Sequence, residues 1–117
     1  MFKVERPTYW SILGSMRLES PVVCYDVKPL VGESPSQPRV LLVTAQRTSQ
    51  GVQLVVYIAA AVPFKYTALP TQYCLDETPA DIQLQLLGEL HARAYVCMQG
   101  GSVSVYSIRI GEKDVRF

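Results

Sequence analysis

Ile82-Gln-Leu-Gln-Leu-Leu-Gly-Glu-Leu-His-Ala-Arg-Ala-Tyr-Val-Cys-Met98 decides how this chain is read. Every even position is apolar or glycine, and the odd positions include Gln83, Gln85, Glu89, His91 and Arg93. Successive side chains of an extended backbone point to opposite faces, so this period of two predicts strand with one buried face. One long strand bent at Gly88 accounts for all seventeen residues, since glycine inside a strand marks a bend or corner. A helix from Pro79 to about His91 is the competing reading. Thr78 would cap it, Pro79 would take the first helical position and Asp81 would face the positive end of the dipole. Gly88 would cost that helix about 1 kcal/mol, and long alternation outweighs intrinsic propensity, so strand is the expectation.

Strand signals continue on both sides. Ala92–Met98 and Ser102–Ile110 flank Gln99-Gly-Gly101, and glycine accepts the positive φ that a tight hairpin demands. Upstream, Arg39–Arg47 and Val52–Val62 flank Thr48-Ser-Gln-Gly51, a second hairpin. Val22–Val27 is rich in β-branched residues, and Pro29 ends it or places it at a sheet edge. Ser11–Glu19 is a weaker strand candidate, and Val31-Gly-Glu-Ser-Pro-Ser-Gln-Pro38 reads as a long loop.

A chain of 117 residues supports one core, so a single domain over residues 1–117 is expected. With 49% apolar and 18% charged residues the composition is globular rather than disordered. A net charge of +1 argues against a strongly basic nucleic-acid surface and against steering to membranes, although a local basic patch remains open. Met1-Phe-Lys-Val-Glu-Arg-Pro7 has charges and no apolar stretch of signal-peptide length behind it. The longest apolar run, Leu54–Val62, is far shorter than the roughly 20 residues of a spanning helix. A soluble cytoplasmic protein is therefore expected. Cys24, Cys74 and Cys97 are odd in number and widely spaced, so buried thiols are expected rather than a disulfide framework or zinc site.

Little in the chain suggests a reaction centre. His91, the single histidine, lies on the polar side of the alternation beside Glu89 and Arg93, with no nucleophile motif nearby. Asp76, Glu77 and Asp81 lack the dense spacing of a calcium loop and read as a solvated turn. Gly100-Gly101 precedes a strand rather than a helix, the wrong context for a phosphate cradle. No enzyme activity, cofactor or metal is expected. Seven tyrosines with Trp10, Phe2 and Phe64 are numerous for this length. Barrels that bind single strands stack bases on exposed aromatics and hold phosphates with flanking Arg or Lys. Tyr57, Arg93, Tyr95, Tyr106 and Arg109 are accordingly the candidate contact residues, for a protein partner or for single-stranded nucleic acid.

Val52-Gln-Leu-Val-Val-Tyr-Ile-Ala-Ala-Ala61, Asp81-Ile-Gln-Leu-Gln-Leu-Leu-Gly88 and Ala94-Tyr-Val-Cys-Met-Gln-Gly-Gly101 with the apolar strand after it carry a family resemblance. So do Phe2-Lys-Val4 and Arg17-Leu-Glu19. The pattern resembles the OB-fold small subunit 8 of archaeal and eukaryotic RNA polymerases, with Pro63–Pro79 in the place of a variable loop. It departs from the family over Pro21–Pro38, and the segment after Gly111 is shorter than the family's closing strand. The resemblance implies a non-catalytic subunit docked on the largest polymerase subunit.

The expected fold is mainly β, a small antiparallel OB-like barrel; the alternative is α+β, with the 79–91 helix packed on an antiparallel sheet. The expected function is a structural polymerase subunit with no membrane contact. Its contact surface would be drawn from Tyr57, Tyr95, Tyr106 and the segment 111–117. The alternatives are a single-strand-binding OB protein, or a small β protein that inhibits another protein.

Overall fold

The computed structural model describes residues 15–18, 20–30, 39–61, 64–68, 73–88, 91–110 and 115–116. Two antiparallel sheets share one apolar core. Sheet A holds β1 (Val22–Pro29), β2 (Arg39–Thr48), β3 (Gly51–Ala61) and β4 (Phe64–Ala68) in that order. β5 (Tyr73–Leu75) also pairs with β3. β3 therefore gives one edge to two short strands: Tyr57–Ala61 pairs with β4, and Val52–Leu54 pairs with β5. Sheet B holds β6 (Pro79–Leu86), β7 (His91–Met98), β8 (Val103–Ile110) and β9 (Val115–Arg116), in sequence order.

The antiparallel all-β expectation is observed, and none of the described residues is helical. Neither sheet closes on itself among those residues, and the two open sheets pack together as a small sandwich or barrel-like β fold.

The deciding stretch is extended but folds differently from the single bent strand. β6 and β7 are two arms of a hairpin, with Leu86 opposite Ala92 and Ile82 opposite Val96, and the Leu87 amide donates to the His91 carbonyl at 2.9 Å. The reversal conserves parity, so even residues of both arms reach the same face. Ile82, Leu84, Ala92, Ala94, Val96 and Met98 are all buried. Thr78 and Pro79 start a strand instead of capping a helix. The Thr78 carbonyl accepts from the Gln99 amide at 2.9 Å, which extends the pairing with the neighbouring hairpin, and Pro79 is buried.

Both expected hairpins form. β2 and β3 turn at Ser49-Gln50 with Gly51 at φ +115°, and β7 and β8 turn over residues 99–101 with Gly101 at φ +100°. The second is a three-residue loop closed by a left-handed glycine, a common hairpin geometry that side-chain-bearing residues resist. β1 runs to Pro29 and lies at the edge of its sheet, as the proline implies. The strand candidate at Ser11–Glu19 is not seen where it is described: Ser15–Leu18 has no regular structure, and residues 11–14 and 19 lie outside the described residues. Pro63–Pro79 is not simply a loop, because β4 and β5 lie within it. The loop at 31–38 also lies outside the described residues.

The core is built from the inward faces of both sheets. Leu41, Val43 and Ala45 of β2 and Val52, Leu54 and Val56 of β3 pack with Ile82 and Leu84 of β6, with Ala92, Ala94, Val96 and Met98 of β7, and with Ile108 and Ile110 of β8. Burial of this kind contributes about 25 cal/mol per Å² of apolar surface, the dominant favourable term in folding.

Two contacts join the sheets at their flanks. On one side β1 lies alongside β6, both of them edge strands, and each carries a bulge at its start. There the Asp26 carboxylate accepts from the Leu84 amide at 2.7 Å through Oδ2 and from its neighbour Val27 at 2.9 Å through Oδ1. The Leu84 amide points away from β7, and Asp26 supplies the acceptor that a further strand would otherwise provide. On the other side the rings of Tyr73 in β5 and Tyr106 in β8 meet edge to face, 5.0 Å apart and inclined at 61°.

Candidate interaction surface

The outward faces of the two sheets differ in what covers them. On sheet A, register places Thr44 opposite Val55 and Leu42 opposite Tyr57, and this outward set continues with Gln46 and Ala59. Thr44, Gln46, Val55, Tyr57 and Ala59 are all buried although they face away from the core between the sheets. Their polar atoms satisfy one another. Gln46 Nε2 donates to Thr44 Oγ1 and to the Tyr57 hydroxyl, both at 2.8 Å, and Thr44 Oγ1 donates to the Val55 carbonyl at 3.1 Å. The Tyr57 ring meets Tyr66 edge to face at 6.3 Å. Beside the network a space of about 380 Å³ is lined by Arg17, Leu18, Ser20 and Tyr66, among others.

On sheet B the outward residues form four rows across three strands. They are Asp81–Cys97–Val103, then Gln83–Tyr95–Val105, then Gln85–Arg93–Ser107, then His91–Arg109. Val103 and Val105 are 57% and 55% exposed, Arg93 and Arg109 are exposed, and Tyr95 and His91 are half-buried. Two cross-strand bonds brace the face. The Tyr95 hydroxyl donates to Gln85 Oε1 at 2.9 Å, and His91 Nε2 pairs with Ser107 Oγ at 2.8 Å. Side chains held in this way lose less rotamer freedom when a partner arrives. The ends differ in charge. Asp81 lies at the end nearest the Gly100-Gly101 turn, where Glu77 also accepts from Ser102 at 2.8 Å, and Arg93 and Arg109 lie toward the other.

The five expected contact residues therefore fall in three places. Arg93, Tyr95 and Arg109 come together on the outward face of sheet B. Tyr106 points the other way, packs on the core and meets Tyr73. Burial raises its phenolic pKa, the nearby Tyr73 and Asp76 raise it further, and a hydrogen bond from Ser104 pulls the other way. Tyr57 is sealed into the network on sheet A. The segment 111–117 contributes β9, whose backbone Arg116 lies opposite Arg109. Sequence reasoning missed Val103 and Val105 as surface residues, because valine in an alternating strand reads as core. Their odd numbering, shared with Arg93 and Tyr95, was the available signal.

The cysteines depart from expectation: Cys74 is exposed, and Cys24 and Cys97 are half-buried. Cys74 Sγ accepts a long 3.5 Å contact from Gln53 Nε2. Desolvation, followed by the nearby Asp81 charge, raises the Cys24 pKa. His91 and Ser107 have the spacing of a base and a nucleophile, but among the described residues Arg109 rather than a carboxylate is opposite the imidazole. That arrangement reads as a cross-strand tie. Among the described residues no group of three or more His, Cys, Asp or Glu could hold a metal ion, and no helix is long and apolar enough to cross a membrane.

Comparison with known family models, characterised proteins and solved structures produced no match to this chain. The likeness to the polymerase subunit thus stands on the quoted residues alone.

Proposed function

We propose that this chain is a non-catalytic docking domain that binds a larger protein through the outward face of sheet B. The carrying observation is that Val103 and Val105, both more than half exposed, share a braced three-strand face with Tyr95, Arg93 and Arg109. Tyrosine and arginine are the residue types most often found at binding hot spots, and adjacent exposed valines supply apolar area to desolvate. Cytoplasmic residence and membership of a nucleic-acid-processing assembly belong to the same reading. The polymerase resemblance supplies the first partner to test, the largest RNA polymerase subunit.

The test is co-purification of the tagged chain from its own cells, alongside a Val105→Glu variant checked for folding by circular dichroism. Stoichiometric recovery of polymerase subunits with the parent chain and their loss with the variant is the expected result. Recovery of the chain alone, or equal capture by both forms, overturns the reading.

A second reading, binding of single-stranded nucleic acid, is favoured by the placement of Tyr95 opposite Val105 and next to the Arg93 row. Against it, the same face carries Asp81, and Tyr95 is its single aromatic among the described residues. Binding to a labelled oligonucleotide that weakens steeply with salt and disappears in Arg93→Glu would establish it in place of protein docking.

A further inference from the structure

Among the described residues, the outward face of sheet B carries Asp81 at one end, Tyr95 and Val105 in the middle, and Arg93 and Arg109 toward the other end. A surface polarised along one direction becomes complementary to itself after a half-turn. That is the requirement for an isologous two-fold contact. We propose that this face docks a second copy of the chain, face to face, about a two-fold axis lying across the strands between the Tyr95 row and the Arg93 row. The proposal rests on the reading that this face is a docking surface, and a second copy seated on it competes with the larger protein for the same residues.

The half-turn exchanges the rows. Tyr95 of each copy comes over Arg93 of the other, the arrangement in which a guanidinium is attracted to a ring face. Val105 comes over Ser107, Val103 meets the aliphatic stem of Arg109, and Asp81 is brought toward the His91–Arg93 end of the second copy. The other in-plane axis, along the strands, would instead stack Arg93 on Arg93 at the centre. Like charges at that position select the first arrangement. A nucleic-acid strand would gain from the two arginines but would meet Asp81 at the far end.

Strands about 4.8 Å apart and rows about 6.8 Å apart give this face roughly 400 Å² per copy. Standard stable interfaces occupy about 800 Å² on each partner, so the contact is reversible and appears only at high concentration.

Sedimentation velocity over about 10 µM to 1 mM, the range in which weak contacts register, tests the proposal. Two variants complete it. Arg93→Glu with Arg109→Glu leaves only acidic charges among the described residues of the face, and Asp81→Lys leaves only basic ones. The parent chain is expected to shift toward dimer with concentration, each variant alone is expected to stay monomeric, and an equimolar mixture of the variants is expected to associate again. A parent chain that remains monomeric, variants that associate as the parent does, or a mixture that fails to associate overturns the proposal. Loss of self-association with Val105-dependent capture of a polymerase subunit intact removes this inference alone. Loss of both removes the docking surface itself.

Discussion

Tyr57 and Tyr95 hold corresponding positions on the two outward faces, each in a long strand of period two, yet they face opposite conditions. Tyr57 is 7% exposed and its hydroxyl accepts from Gln46, inside a set of buried polar groups that satisfy one another. Tyr95 is half-buried on an open face, tied to Gln85. What covers a strand face comes from elsewhere in the chain, so alternation alone cannot separate a sealed outward face from an accessible one. Gln46 of sheet A is buried while Val103 and Val105 of sheet B are exposed, the reverse of what residue type suggests.

The comparison is tested most strongly by truncating both rings. Tyr57→Ala is expected to cost about 3–5 kcal/mol of stability, as for other buried aromatics. Tyr95→Ala is expected to cost about 1 kcal/mol or less, within the range of partly exposed sites. Urea unfolding of both variants reads the difference, and equal losses would remove the distinction between the faces. Next in size, Asp26→Ala should cost roughly 1.5–3 kcal/mol, because the Leu84 amide loses a charged acceptor in a partly buried place. Faster hydrogen exchange at Leu84 than at Ala94 is the specific sign; an unchanged Leu84 rate would show that the clasp does not hold the sheets. Smaller again, Gln46→Ala removes the donor to Thr44 Oγ1 and to the Tyr57 hydroxyl and should cost about 1–3 kcal/mol, while Gln83→Ala on the open face should stay within about 0.5 kcal/mol.

The smallest effect is an alkaline one. Burial raises the pKa of both Cys24 and Tyr106 in the folded chain. A group whose folded pKa is raised adds stability below its unfolded value and loses it as pH climbs through the folded one. Stability should therefore decline above about pH 8.5, first through Cys24 and then, above about pH 10, through Tyr106. Cys24→Ala should flatten the first part of that decline in urea midpoints taken across pH, and an unchanged slope would rule out the thiol as its source.

The inward half of this design was legible in the sequence. Ile82, Leu84 and the even residues from Ala92 to Met98 were readable as one buried face, and both glycine hairpins fell at their marked turns. The reversal between β6 and β7 was not, because a turn that conserves parity leaves the same alternation as a continuous strand. β4 and β5 are too short for periodicity to register, and Pro63 and Pro70 mask them with turn signals. Of the contact residues, Arg93, Tyr95 and Arg109 could be grouped by odd numbering, whereas the sealing of Tyr57 and the inward direction of Tyr106 depend on cover and sheet placement that no local pattern encodes.

Asp26 has a consequence for how the molecule behaves among its own kind when crowded. The rim of an open sheet offers bare amides that an unrelated extended chain can zip onto, the first step toward fibrous deposits. By capturing the Leu84 amide with a carboxylate and setting a negative charge beside it, the chain withholds one rung of that ladder and makes the adjoining rim inhospitable to an incoming strand.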